Sequence, residues 1–219
     1  MMPVVTIGQN TADDFSGAAG AQLLDGNPTT NYGEANYGYI SQMGINNNYH
    51  YLLVFSGLSN ISAPVTVNSA TIYIYAHGTT TPGPTIHGRP LLVPFVQNEA
   101  TWNIRSTGNN WTTAGAMSDG NDRRAVVSFT DTAADGLSGA YASFTANQLA
   151  SDIEDQIDGT LNNYGFVLEE NGDSRNLQHQ DYGDGERPYV SVDYTAGAGG
   201  VVPFTPFSGP FGGPFARPL

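Results

Sequence analysis

The chain has 219 residues and a mass of 23.2 kDa, the size of one ordinary domain or of a domain with an appendage. Charged residues make up only 12% of it, with no lysine and 20 acidic side chains against seven arginines, for a net charge of −13; glycine (27) and proline (13) are plentiful. This balance argues against phosphate backbones and anionic membranes as partners, since both need clustered cations, and the lack of cysteine excludes disulfides, thiol catalysis and cysteine-ligated zinc.

The first residues, Met1-Met2-Pro3-Val4-Val5-Thr6-Ile7, carry no positive charge, and the first basic residue is Arg89. A secretory signal would need that charge and a longer apolar run, so the expectation is a protein that stays where it is made or leaves by cell lysis. No apolar run approaches the roughly 20 residues that span a bilayer.

Further along, the apolar residues recur with period two. Tyr51-Leu52-Leu53-Val54-Phe55 is apolar on both faces, as in a strand buried inside a sandwich. Ala70-Thr71-Ile72-Tyr73-Ile74-Tyr75 puts isoleucines on one face and tyrosines on the other. Ala125–Phe129, Gly165–Leu168 and Tyr189–Tyr194 read as strands in the same way, with connectors rich in Gly, Asn and Asp between them. One segment departs from this rhythm. Thr145-Ala146-Asn147-Gln148 fits a capping box, and Leu149, Ile153 and Ile157 form one apolar stripe, which predicts a helix near 146–158 stopped by Gly159. Asp152, Glu154, Asp155 and Asp158 are expected on its solvated side. From Ala196 onward the strand pattern ends. Pro203-Phe204, Pro206-Phe207, Pro210-Phe211 and Pro214-Phe215 form a four-fold repeat that can neither join a sheet centre nor make a helix. Four aromatic rings are unusual for a solvated linker, so Phe204, Phe207, Phe211 and Phe215 are expected to dock, preferably on a neighbouring subunit. The predicted architecture is all-β: a jelly-roll β-sandwich over residues 1–195 with one short helix, then an extended Pro-Phe-rich tail over 196–219.

Three stretches together resemble a known family. Asn27-Pro28-Thr29-Thr30-Asn31-Tyr32-Gly33, Tyr49–Phe55 and Val67–Ile72 resemble the first half of a DNRLRE-type, or disaggregatase-related, domain. Ala100-Thr101-Trp102-Asn103, Gly108, Trp111 and Gly115-Ala116 are similar to its tryptophan-rich middle loop. Asn162–Leu168 and Arg187–Val192 are similar to its closing strands. The likeness runs in order from about residue 12 to 195 and departs from the family in two places: no arginine opens the Tyr49–Phe55 strand, and the Pro-Phe tail is foreign to it. The resemblance implies a jelly roll similar to carbohydrate-binding modules, of the kind found on extracellular enzymes, surface proteins and virions, and itself without catalytic activity.

The residues give little support to an enzyme. There is no G-x-S-x-G elbow, the adjacent pairs Asp13-Asp14 and Glu169-Glu170 would point to opposite faces of a strand, and the histidines at 50, 77, 87 and 179 show no metal-ligand spacing. A structural calcium suits the turn oxygens better, with Asp119, Asn121 and Asp122 as ligands and weaker alternatives at Asp25/Asn27 and Asp181/Asp184/Glu186. Glycan contacts are assigned to Trp111, Asn109, Asn110 and Tyr182, with Tyr32, Tyr37, Tyr39, Tyr49 and Asn103 as further candidates; Trp102 is expected to pack the middle loop onto the sandwich. The net negative charge disfavours acidic polysaccharides.

The expected function is that of a non-enzymatic virion structural protein, a capsid decoration or fibre-like surface protein of a bacteriophage. It would be made in the host cytoplasm, released by lysis, and joined to neighbouring subunits or to itself through its tail. Host-surface glycans are the expected further partners, and nucleic acid and membrane are not. The alternative is a carbohydrate-binding module or adhesin on an extracellular cell surface.

Overall fold

The computed structural model describes residues 4–8, 17–33, 37–42, 48–170, 176–180 and 187–197. In chain order the strands are β1 (Val4–Ile7), β2 (Ala18–Leu24), β3 (Tyr37–Gln42), β4 (Asn48–Phe55), β5 (Val65–Thr79), β6 (Thr85–Pro90), β7 (Ile104–Ser106), β8 (Asn109–Asn110), β9 (Phe129–Thr132) and β10 (Ala140–Thr145). The helix α1 (Asn147–Asp158) follows, and then β11 (Phe166–Glu170), β12 (Asn176–Gln180) and β13 (Tyr189–Ala196). The chain is an all-β antiparallel sandwich with one short helix, as the alternation predicts.

Its pairs nest like the two arms of one long hairpin. β1 pairs β13, β3 pairs β12, β4 pairs β11, β5 pairs β10 and β6 pairs β9, every pair antiparallel. The arms are then rolled up, because β5 also pairs β13 and β12, and β11 also pairs β6. This is the jelly-roll connection. One layer reads β1–β13–β5–β10, the other contains β3, β4, β11, β6 and β9 with β2 beside β4, and β12 links them through the end of β5.

The core lies between the layers. Tyr51, Leu53 and Phe55 of β4, Ile72 and Ile74 of β5, Phe166 and Leu168 of β11 and Val190 and Val192 of β13 meet in one buried cluster. The even-numbered residues of β4 point the other way, and Leu52 joins a second cluster on the outside of the sheet with Ala21, Leu23, Val167 and Trp111. The two-faced apolar reading of residues 51–55 therefore has a physical counterpart in two separate cores.

Two expected elements differ from what forms. The strand read over Ala125–Phe129 begins only at Phe129, and Val126 is 53% exposed; the segment before it is held by the Arg124 amide on the Pro90 carbonyl and the Ser128 amide on the Gly88 carbonyl. The helix ends as predicted, with Gly159 left-handed at φ 78°, but the capping box does not form. The N-cap is Ala146 without a side-chain bond. Thr145 instead donates its hydroxyl to the Ala70 carbonyl across the sheet, and Gln148 donates to Asp152. The acidic face also differs from a solvated one. Asp152 is buried and accepts from Arg124 (2.6 Å), Gln148 and Ser128. Glu154 and Asp158 accept the amides of Val67 and Val65 at the start of β5. Because α1 packs its Leu149 and Ile153 into the main core, its carboxylates lie within reach of strand amides that would otherwise go unpaired.

Candidate functional site

Between β6 and β9 the chain leaves the sandwich, and residues 91–124 fold over the outer face of β2, β4 and β11. Trp111 anchors this cover. It is 4% exposed, and its indole N–H donates to the Thr101 carbonyl at 2.9 Å. Trp102 is half-buried against the same cluster, its ring centroid 4.9 Å from that of His50. Gly115 makes this approach feasible: it sits at φ 78°, and a Cβ there would fall 2.7 Å from the Trp102 ring. His50, fully buried, donates Nδ1–H to the Gly115 carbonyl at 2.8 Å. The 27–33 turn clamps the other side of the cover, with the Asn31 amide bonded to the carbonyls of Gln97 and Ala100.

A polar network lies under the cover. Both Asp122 oxygens accept backbone amides, those of Thr112, Thr113 and Ser118. Arg123 pairs with Asp119 at 2.8 Å and with Glu169 at 2.7 Å, and Arg89 reaches the other Glu169 oxygen at 3.2 Å. Burial opposes the charge on Glu169, but His50 and the two guanidiniums outweigh it, and the carboxyl sits below the usual carboxylate range. Burial pushes the His50 imidazole down, against the opposing pull of Glu169. Burial does the same at His87, a residue of β6 register-paired with Glu169.

Of the residues assigned to calcium, Asp122 accepts N–H donors on both carboxylate oxygens, Asp119 pairs with Arg123, and Asn121 turns its amide to the Ser118 hydroxyl; hydrogen bonding of this kind is common in Asx turns. Trp111 is buried and offers no exposed stacking surface. Asn109 and Asn110 are exposed on β8, so the tryptophan and the amides assigned to one glycan site are separated by burial. Asp25, from the third acidic turn, holds both the amide and the side chain of Asn48. Tyr182, Asp181, Asp184, Glu186, Asp13, Asp14 and the four tail phenylalanines lie outside the described residues, as does the side chain of Tyr37.

Two tyrosine groups remain at the surface. The smaller joins Tyr39 and Tyr49 edge to face at 5.5 Å, with Tyr32 beside them accepting from Asn27. Burial, with Tyr39, Tyr32 and Asp25 nearby, raises the Tyr49 phenol. The larger group was not assigned from the sequence. The register places Tyr141 opposite Tyr75, and Tyr73 opposite both Ser143 and Tyr189, on the outer side of the β13–β5–β10 layer. Tyr73 and Tyr189 stack at 4.4 Å and 12°. Tyr141 meets Tyr75 and Tyr189 edge-on at 5.3 and 5.1 Å, and His77 stands edge-on to Tyr75. A groove of about 300 Å³ opens beside it, lined by Asp131, Thr132, Leu137, Tyr141 and Ser143 among others. The signal for this face was legible in the sequence: in Ile72-Tyr73-Ile74-Tyr75 the outward positions, normally polar, hold tyrosine.

No protein-family model and no curated protein matches the chain.

Proposed function

We propose that the protein is a non-enzymatic structural component of a virion surface, held in its assembly by the Pro-Phe segment that follows the sandwich. The observation that carries this reading is where the roll closes. β13 completes both of its pairings, with β1 and β5, by Ala196, and the Gly197 amide caps the strand end on the Pro64 carbonyl at 2.8 Å. The Pro-Phe repeat begins six residues later, at Pro203, beyond the last strand among the described residues. Proline at each repeat lowers the freedom lost on docking, and burying a phenylalanine ring is worth roughly 2–3 kcal/mol. Four ionisable groups of the described core, Asp122, Asp152, Arg123 and Glu169, are each engaged in bonds that hold the fold. The DNRLRE-type likeness agrees with such a module.

The test is deletion of residues 203–219. The truncated chain is expected to keep its β-rich circular dichroism and melting temperature and to lose incorporation into the parent particle; incorporation at full occupancy refutes the anchor. The second reading, a carbohydrate-binding module or adhesin, is favoured by one observation, the tyrosine face of the β13–β5–β10 layer.

A further inference from the structure

We propose that the chain is built to withstand proteases that cleave after lysine and arginine, through where it places its arginines. Such a protease seats a basic side chain in an acidic pocket and needs extended backbone on both sides of the bond it cuts. It also passes over a bond followed by proline, whose ring takes the place of the amide N–H. The chain holds no lysine, although lysine is among the commonest residues of globular proteins. Of its seven arginines, three precede proline: Arg89-Pro90, Arg187-Pro188 and Arg217-Pro218. Three of seven is far above what 13 prolines in 219 residues would give without selection. By sequence, four bonds stay open to cleavage, after Arg105, Arg123, Arg124 and Arg175, and Arg175 lies outside the described residues.

The fold withholds the other three. Arg123 is 6% exposed, with its guanidinium on Asp119 and Glu169. Arg124 holds the buried Asp152 at 2.6 Å, and its amide, part of the bond after Arg123, donates to the Pro90 carbonyl at 2.9 Å. Arg105 lies on β7, where its guanidinium donates to the Pro94 carbonyl at 3.1 Å and its own carbonyl accepts the Val96 amide at 2.9 Å. All three belong to the segment 91–124 that covers the β2–β4–β11 face. A protease can therefore extend them only when the cover opens and draws Trp111 from its core, so cutting follows the rare open population. Nicking of native proteins concentrates in exposed connectors. The connector 134–139 between β9 and β10 is largely exposed, and it carries no basic residue. The inference rests on neither functional reading: a virion surface protein and an adhesin would both keep their form in surroundings that contain such proteases.

The test incubates the full-length protein with trypsin at neutral pH and identifies the products by mass spectrometry. The native chain should stay intact or be cut after Arg175 alone. Ser138→Arg, at an exposed position followed by Gly139, supplies the basic residue that the connector lacks. This variant should lose its intact chain to two fragments that meet between positions 138 and 139, with its β-rich circular dichroism unchanged before digestion. Cleavage of the folded native protein after any arginine other than Arg175 overturns the proposal. A Ser138→Arg variant as durable as the native chain overturns it too, because the resistance would then belong to the stiffness of the fold and not to the placing of the arginines.

Discussion

The two outer faces of this sandwich are built on opposite plans. On the β2–β4–β11 side the outward residues Ala21, Leu23, Leu52 and Val167 are apolar, and the protein covers them with its own residues 91–124. On the β1–β13–β5–β10 side the outward residues are tyrosine, serine and threonine, and no segment among the described residues lies over them as the middle loop lies over β4. The difference teaches where to look for function. A face that a protein seals with a tryptophan-anchored loop is part of its stability, however ligand-like the loop's asparagines and aspartates look. The other face is built of large amphipathic rings packed on one another and of hydroxyls.

The comparison can be broken most forcefully at Trp111. If the cover is a true second core, Trp111→Ala should cost about 3–5 kcal/mol in urea denaturation; a cost under about 1 kcal/mol would make the loop a surface ornament and erase the contrast. The network under the cover predicts a smaller effect that depends on pH. Glu169 is depressed, so its stabilisation is complete above the unfolded carboxyl value of about 4.3 and is lost as pH falls through the folded value. His50 and His87 are depressed as well, so below about 6.5 the unfolded chain takes up protons that the folded one refuses, and stability declines from there. Stability should therefore rise with pH between about 4 and 7, and His50→Gln should flatten the upper part of that rise to the His87 share. A flat profile in the native protein would contradict the buried network. The smallest effect belongs to the open face, where Ser143→Arg should change stability by no more than about 0.5 kcal/mol in either direction. A loss of several kcal/mol would mean that this face, too, is covered.

Much of the architecture was legible because it rests on local patterns. The alternation in 70–75 and 189–194 and the glycine after α1 each point to one outcome that the tertiary structure preserves. The misreadings share a cause, which is competition from a distant partner. Thr145 has the residue type of an N-cap, but the Ala70 carbonyl lies beside it once β10 pairs β5. Asp152 belongs to an acidic helix face until Arg124 and Ser128 arrive from a loop more than 20 positions away. Asp122 reads as a metal ligand in a Gly-Asn-Asp turn, and only the folded loop shows three amides aimed at its oxygens. The same reasoning explains the tryptophans. Aromatic residues in a loop suggest recognition, whereas the apolar outer face beneath this loop, which decides their role, is scattered over residues 21 to 167. For the tyrosine face the sequence held half the signal, Tyr73 and Tyr75; Tyr141 and Tyr189 join them only through strand pairing.

The nesting of the strand pairs has a consequence for how the chain reaches this structure. β5 is 15 residues long, and its three partners begin at residues 140, 176 and 189. None of its edges can be satisfied locally, and each closure must enclose a loop of 60 residues or more, the kind of contact that slows folding. Of the nested pairs, β6 with β9 encloses the least chain and can close before the others, while β1 with β13 encloses the most and closes last. During synthesis the alternating Ile-Tyr run of β5 is thus exposed with both edges open until most of the protein has emerged, and this is the segment through which one unfinished copy would pair with another.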